Sequence, residues 1–120
     1  MSLLTAFCNQ SINFVTELEN LFPEENDIKT YKNNLLFLKK TNPRSMVNYF
    51  KQYINPYIQY IELKDERFFL GLPYDESMGG DKYSMMKAIE FKKLWGNMSE
   101  QSKKACWQYF EILLALSNKL

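Results

Sequence analysis

Apolar residues along the chain recur three and four apart over most of its length, the period of an α-helix with one buried face. Leu4, Phe7, Phe14, Leu18 and Leu21, with the small Ser11 between them, predict a first helix over 3–22. Pro23 stops it, because proline lacks an amide donor and restrains Phe22 away from helical angles. Ile28, Tyr31, Leu35 and Leu38 form the inner stripe of a second helix from about Ile28 to Lys40. Glu24-Glu25-Asn26-Asp27 supplies its turn and cap, with acids suited to the positive end of the helix dipole.

Asn42-Pro43 is a strong start signal, cap then N1 proline, for a third helix carrying Met46, Val47, Phe50 and Ile54. The dipeptide recurs at Asn55-Pro56, ahead of Ile58, Ile61 and Leu63, and predicts a break or strong kink. Asp65-Glu66-Arg67-Phe68-Phe69-Leu70 reads as a short helical turn planting two aromatics, and 71–81 as one long loop rich in breakers. From Asp81 a fifth helix would carry Met85, Ile89 and Leu94 or Trp95, ending at Gly96-Asn97. Ser99 then caps a last helix with Cys106, Tyr109, Phe110, Leu113, Leu116 and Leu120 at helical spacing. No stretch alternates as a strand must. The expected fold is all-α, a compact bundle of about five to six helices forming a single domain over 1–120.

Composition agrees. With 120 residues, 46% hydrophobic and only 4 Gly and 4 Pro, the chain can bury a core and lies outside the disordered regime. The opening residues lack the basic and apolar regions of a signal peptide, and no window reaches the length of a membrane span. The formal net charge of +1 conceals segregation: −5 for residues 1–27, +6 for 28–64, −4 for 65–81 and +4 for 82–120. Such blocks are solvated faces, or acidic and basic surfaces through which neighbouring copies meet. Cys8 and Cys106 each sit in an apolar helical pattern and read as small buried hydrophobes, with a bridge between the first and last segments left open.

Chemical equipment is sparse. The absence of histidine removes the usual base near neutral pH, the commonest zinc ligand and every triad built on it. Gly79-Gly80-Asp81-Lys82-Tyr83-Ser84 lacks the spacing and preceding strand of a phosphate loop. Asp75-Glu76 and Asp65-Glu66 lack the alternating ligands of a calcium loop. The expectation is no enzyme, cofactor or metal.

Two candidate surfaces remain. Tyr49, Tyr53, Tyr57 and Tyr60, with Phe68 and Phe69, are hard to bury together, and tyrosines at near-helical spacing would make an interface ridge with polar tips. Core packing is the competing reading. Lys39, Lys40 and Arg44, with Lys51, gather around one helix junction, where Tyr31 and Phe37 are close in sequence. They could contact nucleic-acid phosphates, or merely complement a helix C-terminus beside core aromatics. A protein partner or self-association is therefore the first expectation, and a nucleic-acid accessory role the second.

Phe22-Pro23-Glu24 with Asp27-Ile28, Asn42-Pro43-Arg44, Pro56-Tyr57, Asp65-Glu66 with Phe68-Phe69-Leu70, and Met98-Ser99 ahead of Lys103-Lys104 and Tyr109 form a pattern along most of the chain. In these motifs the sequence resembles short helical proteins of nucleocytoplasmic large DNA viruses. The resemblance implies a host cytoplasm, virus factory or virion as the setting, and carries over no catalytic residue.

Overall fold

The computed structural model describes residues 2–70 and 91–120. These form α1 (Leu3–Leu21), α2 (Asn26–Thr41), α3 (Pro43–Ile54), a 3₁₀ turn (Asn55–Tyr57), α4 (Ile58–Glu62), α5 (Arg67–Leu70), α6 (Phe91–Gly96) and α7 (Glu100–Asn118). The fold is all-α, as the periodicity requires, with no strand among the described residues. The radius of gyration, 13.5 Å, matches the roughly 13.6 Å expected of a compact chain this long. The expected loop at 71–81 and the first part of the fifth helix, with Met85 and Ile89, lie outside the described residues.

Helix ends follow local chemistry. Ser2 accepts the Thr5 amide at 3.0 Å and Ser99 the Ser102 amide at 3.1 Å, each satisfying an amide the first turn leaves open. Pro43 occupies the first turn of α3, with the Asn42 side chain making no cap bond. The second Asn-Pro produces the expected break, as a 3₁₀ turn between α3 and α4. α4 ends with the Asp65 amide bonded to the Tyr60 carbonyl at 2.8 Å and the Lys64 amide to that of Ile61 at 3.1 Å. That pairing requires a left-handed residue between, and Lys64, at φ 53°, fills a position usually held by glycine.

α1 lies between α2 and α7 and also touches α3. Each described helix sends side chains into one buried cluster. Its densest part surrounds Phe69, whose ring lies 4.2 Å from Trp95, 4.7 Å from Trp107, 4.9 Å from Phe91 and 5.0 Å from Phe68. The Trp95 indole N–H keeps a partner, donating to Glu66 Oε1 at 3.2 Å, and the Lys103 ammonium sits 5.3 Å over its ring. Cys8 and Cys106 are both buried free thiols; Cys8 faces the Pro43 carbonyl and Cys106 the Met98 sulfur. Two members of the predicted stripes depart from the interior: Leu21 is 49% exposed and Leu63 77%. Both sit at helix ends, where the chain turns away before neighbouring helices can cover them.

Candidate functional site

The expected aromatic ridge does not stay at the surface. Phe68 and Phe69 are core residues, Tyr57 is buried, and Tyr53 and Tyr60 are half-buried against the core; Tyr49, 52% exposed, is the one open member. The 3₁₀ turn is the reason. It shifts Tyr57 relative to Tyr49 on α3, and the Tyr57 ring packs 6.1 Å from Tyr53 and 6.2 Å from Phe68. The ridge reading is therefore corrected to core packing at Tyr57, Phe68 and Phe69.

The four cations divide among different neighbours. Lys39 Nζ donates to Asn9 Oδ1 on α1 at 2.6 Å, while Arg44 Nη2 donates to the Leu120 carbonyl beyond α7 at 2.5 Å. Lys40 shares the last turn of α2, and Lys51 lies in the last turn of α3, two turns on from Arg44. Two of the four thus tie α2 to the middle of α1 and α3 to the residues after α7.

A different feature emerges between α1 and α7. A groove of about 300 Å³ runs along Phe14, Glu17, Leu18, Asn20 and Leu21 on one side and Gln101, Ser102, Ala105, Cys106 and Tyr109 on the other. It exists because Ala105, one turn from both Gln101 and Tyr109, contributes only a methyl where a longer side chain would fill the space. Phe14, Leu18 and Cys106 make a buried floor; Leu21 stands exposed at the edge. At one end Tyr109 packs 5.1 Å from Phe14 and donates its hydroxyl to Glu17 Oε1 at 2.9 Å. Burial first, then this bond and the Glu17 charge, push the Tyr109 phenol up to about 12. Burial, with Glu17 second, pushes the Cys106 thiol to about 12 as well. Cys106 therefore remains a neutral thiol, poorly suited to nucleophilic attack. The groove can bury an apolar group beneath a polar rim.

The second feature is on α2. Phe37 is 64% exposed and Leu36 39%. Phe37 falls well out of phase with the inward residues Ile28, Leu35 and Leu38, on a face it shares with Lys29, Asn33 and Lys40. Reading Phe37 as a core aromatic is thus corrected: its phase on α2 sends it to solvent. The signal was available in the spacing. The groove had no such signal, since it depends on which helix lies across from Ala105.

Among the described residues, no three His, Cys, Asp or Glu side chains gather as metal ligands would, and no helix is long and apolar enough to cross a membrane. Set against protein-family models, curated proteins and solved structures, the chain finds no match in any of the three.

Proposed function

We propose that the chain is a non-enzymatic interaction or assembly protein of a large DNA virus, acting in host cytoplasm, virus factory or virion. The observation that carries the interaction reading is Phe37, a large aromatic 64% exposed amid lysines on a helix whose apolar stripe points elsewhere. Burying such a side chain is worth roughly 1.5–3 kcal/mol, so a partner that covers it gains what folding forgoes. Scattered exposed aliphatics are ordinary on any surface. An exposed phenylalanine beside Leu36 has the character of residues enriched in protein interfaces. The viral setting rests on the sequence motifs named above.

The test places a photo-crosslinking residue at position 37 in infected cells, with exposed Glu62 as the control position. The expected outcome is a discrete product from position 37 that position 62 does not give. No product from position 37, together with a monomeric mass by light scattering at every concentration, overturns the reading.

A further inference from the structure

The interaction reading names a surface without naming what covers it. Resting on that reading, we propose that the partner is a second copy of this chain: the Phe37 face of α2 in one copy seats in the α1–α7 groove of the next. Three observations converge on this pairing.

The first is fit. At about 300 Å³ the groove lies at the small end of the range that holds bound groups, suited to one large side chain. It also lies along two helices, with an apolar floor at Phe14, Leu18 and Cys106. On α2 the one large apolar anchor is Phe37, with polar Asn33 and Lys40 one turn to either side to meet the groove's polar rim.

The second is charge. Glu17 is the acid in the groove lining, and Glu24-Glu25 lies three residues past Leu21, Glu25 being paired with Lys93. The incoming face carries Lys29 and Lys40 on either side of Phe37. These belong to the −5 and +6 blocks that adjoin in sequence. Opposite charges arranged this way steer encounter and set register more than they add affinity.

The third is geometry. Glu19 on α1 pairs with Lys32 of α2 at 3.1 Å, whereas Glu17 bonds Tyr109 of α7. Two residues on a helix are about 200° apart, so α2 and the groove lie on opposite sides of α1. Phe37 faces away from α1 and cannot reach the groove of its own chain. The contact must form between copies, and any assembly that does not close on itself has one free face and one free groove at its ends.

This polarity supplies the experiment. Phe37→Asp removes the inserted residue at an exposed position, and Ala105→Arg fills the groove; Glu17→Arg serves as a second groove variant should Ala105→Arg disturb folding, which circular dichroism reports. Light scattering from micromolar to millimolar protein should show wild-type mass rising with concentration and falling with added salt. Each variant should associate about thirtyfold more weakly or worse, the effect of losing an interface anchor. An equimolar mixture of Phe37→Asp and a groove variant retains one intact contact, so mass should return to a dimer and stop there. Wild type that stays monomeric, variants that still associate, or a mixture that recovers nothing each overturn the proposal. If wild type is monomeric while position 37 crosslinks a different protein, the self-pairing falls and the interaction reading stands.

Discussion

Phe69 and Phe37 are the same side chain in opposite surroundings, one 1% exposed and ringed by four aromatics within about 5 Å, the other 64% exposed. Phe69 lies on a four-residue helix too short to hold itself; packing against Phe91, Trp95 and Trp107 gives it its place. Phe37 lies on a sixteen-residue helix that already meets the core through Ile28 and Leu35. A long helix with a complete stripe can leave an aromatic outside, whereas a single turn depends on burying its aromatics, as α5 does with Phe68 and Phe69 while Leu70 stays 41% exposed. The interior thus uses its aromatics to join short elements, while Phe37 stays at the periphery.

The comparison breaks if the two phenylalanines prove equivalent on truncation. Phe69→Ala should cost about 3–5 kcal/mol, read as a lowered midpoint in denaturant or heat, because neighbouring rings cannot collapse into the space. A loss under 1 kcal/mol would mean that the aromatic cluster is not close-packed.

Alkaline pH probes the groove, which lies between these extremes. Tyr109 and Cys106 have folded pKa values near 12, above their ordinary values of 10.0 and 9.0. A group raised in this way favours the protonated fold, so its contribution is complete below pH 9 and is lost as pH rises toward 12. Stability should therefore be level through neutral pH and fall steeply above pH 9. Absorbance titration should show a late-ionising tyrosine that Tyr109→Phe removes; a titration unchanged by that substitution would reassign it.

The end caps carry smaller effects. Ser99→Ala, which strips the Ser102 amide of its acceptor, should cost about 1 kcal/mol in thermal unfolding. Lys64→Gly should have the opposite sign and raise stability by about 0.5–1 kcal/mol, since glycine takes φ 53° without a Cβ penalty. Any loss there would show that the Lys64–Glu111 pair at 3.6 Å outweighs the backbone strain.

The smallest expected effect sharpens the contrast most. Phe37→Ala should leave the unfolding midpoint within about 0.5 kcal/mol of wild type, as for other surface positions. A large loss would place Phe37 in the fold's own stability and remove it from consideration as an interface residue.

Much of this architecture was present in one-dimensional form. The period of Phe7, Phe14 and Leu18, the stop at Pro23, the paired Asn-Pro signals and the Ser99 cap depend on contacts within a turn or two, so their residues determine α1, α3, the break after Ile54 and α7 directly. The outward phase of Phe37 on α2 was equally legible. Tertiary packing decided the rest: the 3₁₀ turn swung Tyr57 inward, α5 drove Phe68 and Phe69 between distant helices, and the crossing of α1 with α7 opened a groove at Ala105. Periodicity says which face of a helix is apolar. Only the helix lying opposite determines whether that face is filled, and that contact joins residues some ninety positions apart, as Glu17 and Tyr109 show.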